Sequence, residues 1–109
     1  MPITLKLLES VSMSKYARRV DVNQSQIVQV FKQLGCSVFD TSRVAGGFPD
    51  LMVGKNKKTV LVEIKSSDKA KFTAAQEMFM LNWKGSTVVR INDIEGAIRL
   101  VNLLDNANQ

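Results

Sequence analysis

The chain has 109 residues, of which 45% are hydrophobic, a size and composition that suit one domain with its own core. Its net charge is +5 and it contains no histidine, which excludes His-based triads and His–zinc sites. Any metal site must then be built from oxygen ligands, which favour Mg²⁺ or Mn²⁺. The single cysteine, Cys36, cannot form an intramolecular disulfide. No membrane span or signal-peptide pattern is evident, so we expect a cytoplasmic protein.

Residues 1–20 are predicted to form an N-terminal arm that precedes the folded domain. Their apolar positions give only a partial helical stripe, which serines interrupt. A basic cluster ends the arm and consists of Lys15, Arg18 and Arg19. A solvated arm is the simpler interpretation of this cluster. The functional alternative is contact with nucleic-acid phosphates, which cations bind without reading sequence.

A first helix is predicted from Asp21 to Gly35. Asp21 and Gln24 have the spacing of a capping box, and a glycine is suited to the position that follows a helix. The expected apolar stripe consists of Ile27, Val28, Phe31 and Leu34. Because Gln24 lies on the same side, we expect it to point inward from the first turn.

A short strand at residues 37–41 and a loop at residues 42–48 come next. The loop contains Gly46 and Gly47, which allow positive φ or the close approach of a ligand. Arg43 in the same loop is a candidate phosphate contact. The simpler interpretation of the loop is a plain turn.

Residues 46–65 predict a β-hairpin, because two β-rich runs flank a turn at residues 56–57. Pairing outward from this turn places Asp50 directly opposite Glu63, and the alternation of side chains places Lys65 on the face of Glu63. Opposed residues have Cβ atoms about 4.5–5.5 Å apart, where two like charges destabilise a sheet. A divalent cation between the two carboxylates, with the lysine beside it, accounts for the pair. The alternative is a salt-bridge patch on a solvated sheet face.

A polar loop at residues 66–71 follows the hairpin. Its two lysines are further candidates for contact with nucleic acid: Lys69 and Lys71. Thr73 and Gln76 have capping-box spacing and open a helix that is predicted to run to about Trp83. Gln76 leads the apolar stripe of this helix, so we expect it to point toward the sheet. The alternative is that Gln76 serves only as a cap.

The last predicted elements are a strand at residues 86–91 and a helix capped by Asp93. The apolar stripe of this helix consists of Ile94, Ala97, Ile98, Val101 and Leu104. The domain is predicted to span residues 21–105, and residues 106–109 to form a polar tail. The order of elements predicts an α/β fold flanked by helices, whose small mixed sheet has a three-stranded antiparallel part and a strand joined by a helical crossover.

The hairpin residues resemble those of a known nuclease family. Pro49-Asp50, a spacer and then Glu63-Ile64-Lys65 resemble the PD-(D/E)XK signature. The wider stretches Gly47–Leu51, Val62–Lys65 and Phe72–Gln76 resemble the VRR-NUC branch of that family, including small stand-alone phage versions. The likeness covers roughly residues 21–101. It implies a restriction-endonuclease-like core.

The resemblance also implies a function: a nuclease that hydrolyses DNA phosphodiester bonds with Mg²⁺, or Mn²⁺ in its place. Whether it selects branched or flapped DNA is left open by the sequence. The implied catalytic residues are Asp50, Glu63, Lys65 and Gln76. The implied metal ligands are Asp50, Glu63 and the carbonyl oxygen of Ile64. A phage protein of this kind would act in the cytoplasm of the bacterial host. Many nucleases of this size act as dimers, so we expect a homodimer.

The sequence departs from the family pattern in its first helix. The family usually has a glutamate near the start of this helix, and the candidates here are Gln24 and Gln26. A neutral amide can accept a hydrogen bond from metal-bound water but adds no charge. Two other functions therefore stand beside the nuclease: a nucleic-acid-binding protein of the same fold with little or no turnover, and a small interaction protein without nucleic-acid function.

Overall fold

The computed structural model describes residues 19–67 and 69–106, with side chains described from residue 23 onward. Over these residues the protein is a small mixed α/β domain, with three helices and one four-stranded sheet. The helices are α1 (Arg19–Gln33), α2 (Ala74–Asn82) and α3 (Ile94–Asn106). The strands are β1 (Ser37–Asp40), β2 (Leu51–Lys55), β3 (Lys58–Ile64) and β4 (Val89–Ile91). This order of elements confirms the predicted order.

The sheet has the strand order β1-β2-β3-β4. Strands β1, β2 and β3 pair antiparallel, whereas β4 pairs parallel with β3. Helix α2 connects these two parallel strands, so the predicted helical crossover is confirmed. The prediction that the last strand begins at residue 86 was wrong. Ser86 is engaged elsewhere: its hydroxyl donates to the Thr59 carbonyl, and its own carbonyl accepts from the indole N–H of Trp83.

The hairpin of β2 and β3 has the predicted register. Val53 pairs with Val60 and Leu51 with Val62. The two turn residues, Asn56 and Lys57, have positive φ angles of 55° and 66°. This is the backbone of a type I′ turn, whose twist matches that of the strands that it joins.

The start of α1 differs from the prediction. The helix begins at Arg19, so Asp21 lies within it and the capping box predicted for Asp21 and Gln24 is wrong. A capping residue needs a non-helical backbone at its own position, which Asp21 does not have. The predicted end is confirmed: Gly35 has φ +93°, and the N–H of Cys36 donates to the carbonyl of Phe31 at 3.0 Å, as in a Schellman motif.

The hydrophobic core lies between one face of the sheet and helices α1 and α3. Its fully buried members include Ile27, Val30, Phe31, Leu51, Val53, Val62 and Ala97. The predicted cap of α3 is confirmed, since the N–H of Gly96 donates to the Asp93 carboxylate at 2.8 Å. This packing leaves the opposite face of β3, which carries Leu61 and Glu63, turned toward α2.

Helix α2 covers that second face only in part. It has no fully buried residue, and Trp83 at its C-cap is 41% exposed, so the prediction of a buried stripe from Gln76 to Trp83 is wrong. The helix is held instead through aromatic rings. Phe79 meets Phe48 edge to face at 5.1 Å and stacks on Trp83 at 5.3 Å.

Several predictions fall on other parts of the chain. Lys15 and Arg18 lie outside the described residues, as do residues 107–109 of the predicted tail. Arg19 is described only as the first backbone position of α1. Within the ranges 19–67 and 69–106, no helix has the length and apolar character needed to cross a membrane.

Candidate functional site

Asp50 is fixed at the start of β2 by the end of β1. The N–H of Thr41 donates to the Asp50 carbonyl at 2.8 Å, and the Thr41 hydroxyl donates to the Pro49 carbonyl at 2.7 Å. The register of the hairpin, extended by one residue, places Asp50 opposite Glu63. The Asp50 side chain then reaches across to β3, where its Oδ2 accepts a hydrogen bond from the Ile64 N–H at 2.9 Å.

Glu63 is a buried carboxylate, only 4% exposed. Its Oε2 accepts a hydrogen bond from Gln76 Nε2 at 2.6 Å and lies 3.6 Å from Lys65 Nζ. Its Oε1 is buried and accepts no hydrogen bond from any protein group that the structure describes. Buried carboxylate oxygens are normally paired, because an unpaired one keeps the full cost of its desolvation. This oxygen is therefore available to a further ligand.

Gln76 joins the helix cap to the two charged side chains. The capping box with Thr73 is confirmed, because the Thr73 hydroxyl accepts from the Gln76 N–H and Gln76 Oε1 accepts from the Thr73 N–H. The same Oε1 accepts from Lys65 Nζ at 2.9 Å. With two donors on its oxygen, the amide turns its NH₂ group to Glu63. Gln76 is thus both a cap and a contact of Glu63 and Lys65.

Gly47 brings the loop before Asp50 against α2. Its φ is +78°, and a Cβ added there would lie 2.2 Å from the carbonyl oxygen of Ala75. Only glycine allows this approach without displacing the helix. The loop therefore sets Phe48 against Phe79 and holds the first turn of α2, which carries Gln76, over the sheet.

The electrostatics of the cluster disfavour two free negative charges. Burial raises the pKa of the Asp50 carboxyl above its ordinary value, against the lowering effects of the Ile64 N–H and the Lys65 charge. Burial, and after it the negative charge of Asp50, raises the pKa of the Glu63 carboxyl, against the lowering effect of Lys65. The two acids thus act on each other, and one lysine does not neutralise both.

The donor set suits a hard cation with few protein ligands. No group of three or more His, Cys, Asp or Glu side chains that could hold a metal occurs in the described part of the chain. A cation at this cluster would therefore have two carboxylates, with the Ile64 carbonyl as the candidate third ligand. Mg²⁺ usually keeps several waters and binds through one or two carboxylates, so this set fits Mg²⁺ or Mn²⁺. Such an ion would bind the Oε1 of Glu63, which accepts no hydrogen bond from the described residues.

The two glutamines of α1 are not bonded to this cluster. Gln24 lines a surface groove between α1 and β1, together with Asp40 and Arg43. The amide oxygen of Gln26 is buried and accepts no hydrogen bond from residues 23–67 or 69–106. Among the hydrogen bonds of residues 23–67 and 69–106, none joins either glutamine to Asp50 or Glu63.

The cations predicted to contact nucleic acid are dispersed. Lys69 and Lys71 are exposed in the loop that follows Lys65, and Arg43 is exposed beside the groove on the α1 side of the sheet. The lysines therefore lie along the chain between Lys65 and α2, whereas Arg43 lies at the other face.

Sequence reasoning missed Arg90. It pairs with Glu63 in the register of β3 and β4, and its guanidinium binds the loop that carries the two lysines. The only available signal was a charged residue between Val89 and Ile91 in an otherwise apolar strand.

Comparisons of the chain with protein-family models, with curated proteins and with solved structures found no match. The resemblance to PD-(D/E)XK nucleases therefore rests on the motif residues alone.

Proposed function

We propose that the protein is a Mg²⁺-dependent nuclease that hydrolyses DNA phosphodiester bonds, on a restriction-endonuclease-like core. The observation that carries the proposal is the meeting of Asp50 and Glu63 across the hairpin, with Lys65 and Gln76 in contact with Glu63. The unpaired Oε1 of Glu63 supports a cation between the acids. A buried carboxylate and a half-buried one that share one lysine are costly in a merely structural patch.

Each side chain has a role in this proposal. Asp50 and Glu63 would hold Mg²⁺, which lowers the pKa of its water and stabilises negative charge on the phosphate. Lys65 would orient the attacking water and stabilise the charge that develops on the phosphate oxygens. Gln76 fixes Lys65 through its Oε1 and Glu63 through its Nε2, so that the lysine and the carboxylate keep their relative positions.

A cleavage assay with matched variants tests the proposal. The wild type is incubated with flapped, branched and single-stranded DNA in Mg²⁺ and in Mn²⁺, and compared with Asp50→Asn and Lys65→Met. We expect each variant to lose activity by about a hundredfold or more, because each removes a group that acts on the charge of the transition state. Glu77→Gln, an exposed acid one residue after Gln76, serves as the control and keeps full activity. An unchanged cleavage rate in Asp50→Asn would exclude this site.

A nucleic-acid-binding protein of the same fold with weakened turnover is the second candidate. It is favoured by the neutral side chains of Gln24 and Gln26, the candidates for the glutamate that the resembled family has in this helix. The buried amide oxygen of Gln26 accepts no hydrogen bond from the residues that the structure describes. Salt-dependent DNA binding without cleavage in Mn²⁺ would support this candidate over the first. Recovery of cleavage in Gln26→Glu or Gln24→Glu would identify the missing carboxylate.

The homodimer remains a prediction that sedimentation velocity would check.

A further inference from the structure

Arg90 binds the loop that connects two residues of the cluster. Its guanidinium donates to the carbonyl oxygens of Ser67 at 2.6 Å and Ala70 at 2.5 Å, and its Nε donates to the side-chain oxygen of Asn92 at 3.3 Å. The donors of a guanidinium form a rigid planar fork, so one arginine can hold two main-chain carbonyls of a loop. The loop is therefore fixed to strand β4.

Phe72 extends this attachment to Lys65. Its ring centroid lies 5.4 Å from Arg90 Cζ and also 5.4 Å from Lys65 Nζ. Both cations are within the range in which an aromatic ring attracts a positive charge. Phe72 thus contacts the arginine that holds the loop and the lysine that contacts Glu63.

The loop held by Arg90 follows Lys65 in the chain and leads into helix α2. Lys65 lies directly before the loop, and Phe72 directly precedes Thr73, which caps α2. Gln76 in the first turn of α2 then returns to contact Lys65 and Glu63. A shift of residues 67–72 would therefore move Lys65 at one end and the cap of α2 at the other.

We propose that Arg90 is a positioning residue, which sets Lys65 and Gln76 against Glu63 by holding Ser67 and Ala70 in the loop before α2. Arg90 is paired with Glu63 in the β-ladder, yet its side chain donates hydrogen bonds to the loop and to Asn92. Its Nε and one terminal nitrogen are engaged in this way, so the geometry assigns Arg90 to the loop. The consequence for catalysis rests on the proposed function, whereas the consequence for the loop does not.

The loop is tested without reference to activity, by amide hydrogen exchange and by NMR of the Gln76 side-chain amide. Arg90→Met keeps the length of the side chain but removes its donors, and Arg90→Lys keeps the charge. Arg99→Met, an exposed arginine of α3, is the control. We expect faster exchange at residues 67–72 and a shifted Gln76 amide resonance in Arg90→Met, an intermediate result in Arg90→Lys, and neither change in Arg99→Met. Exchange and resonance at wild-type values in a folded Arg90→Met would overturn the inference.

Cleavage kinetics supply the second measurement. Misplacement of a catalytic group by about 1 Å lowers rates by about a hundredfold, so we expect kcat to fall by a factor of this order in Arg90→Met, with KM nearly unchanged. A rise in KM with kcat retained would instead mean that Arg90 binds DNA, and would overturn the positioning role. If the wild type does not cut DNA, the nuclease proposal fails, and the exchange and NMR results alone decide the role of Arg90.

Discussion

At the scale of single residues, Glu63 is a buried acid whose negative charge lowers the stability of the metal-free protein. Its carboxylate is 4% exposed, and one of its oxygens accepts no hydrogen bond from the described residues. Burial, and after it the charge of Asp50, raises its pKa. A core residue at this position would pack better if it were neutral, because buried like charges without full pairing are unfavourable. The arrangement is explained if the two acids bind a cation, whose positive charge would offset the effect of Asp50 on Glu63.

Replacement of Glu63 by glutamine should therefore stabilise the metal-free protein. Glu63→Gln removes the repulsion from Asp50 and keeps an oxygen that can accept from Gln76. We expect the free energy of unfolding in EDTA to rise by about 1 kcal/mol, the scale of gain found when a functional site is relieved of strain. Urea denaturation measures it, with the exposed Glu77→Gln as the control. A loss of stability in Glu63→Gln would mean that the acid is part of a structural ion pair.

The same two acids predict how stability depends on pH. Their folded pKa values are raised, so the folded protein binds protons more tightly than the unfolded chain. Each carboxyl therefore contributes to the free energy of unfolding. This contribution is fully present below the ordinary pKa of about 4 and is lost as the pH rises through the raised pKa. In EDTA, the urea midpoint of the wild type should fall relative to that of Asp50→Asn/Glu63→Gln as the pH rises across this window. Parallel curves for the two proteins would contradict the raised pKa values.

At the scale of elements, the β2–β3 hairpin is anchored at both ends. Its open end carries Asp50 and Glu63, and its turn caps the C-terminus of α3. Asn56 and Lys58 donate to the carbonyl of Leu104 at 3.3 and 3.1 Å, and Lys55 forms an ion pair with Asp105. Lys55 and Lys58 thus lie against the end of α3. Their contacts with α3 could not be predicted, because they join residues 46 to 50 positions apart.

The turn offers a stabilising substitution away from the site. Lys57 has φ +66°, a conformation that costs a residue with a Cβ about 1 kcal/mol and that glycine adopts freely. We expect Lys57→Gly to raise the free energy of unfolding by about 0.5 kcal/mol, after the greater entropy of glycine in the unfolded chain is subtracted. Thermal denaturation measures the change. Asn56→Gly, which loses the bonds to Leu104 and Asp105, is expected to be destabilised and serves as the contrast.

The elements whose signals are local were predicted from the sequence. The hairpin register follows from the turn and the alternation of side chains, and the caps at Thr73 and Asp93 follow from spacing alone. The starts of α1 and β4 were mistaken: the helix begins at Arg19, two residues before Asp21, and the strand begins at Val89, three residues after Ser86. Arg90 was missed for another reason: its partners lie 20 and 23 residues away in a loop.

At the scale of the whole molecule, the two faces of the sheet have different uses. Helices α1 and α3 fill one face with a continuous apolar core. Helix α2 lies on the other face without a fully buried residue, and its contacts are the polar cluster at Gln76 and the rings at Phe79. Stability thus comes mainly from the first face. The second face can carry buried charge because the core does not depend on it.

Location of a bound cation tests the central claim most directly. Crystals of the metal-free protein are soaked in Mn²⁺, and anomalous scattering locates the ion. The account predicts a peak between Asp50 and Glu63, about 2.2 Å from a carboxylate oxygen of each, and no peak in crystals of Asp50→Asn. Anomalous density that is absent from this position, or that is unchanged in Asp50→Asn, would contradict the claim that these two acids form a metal site.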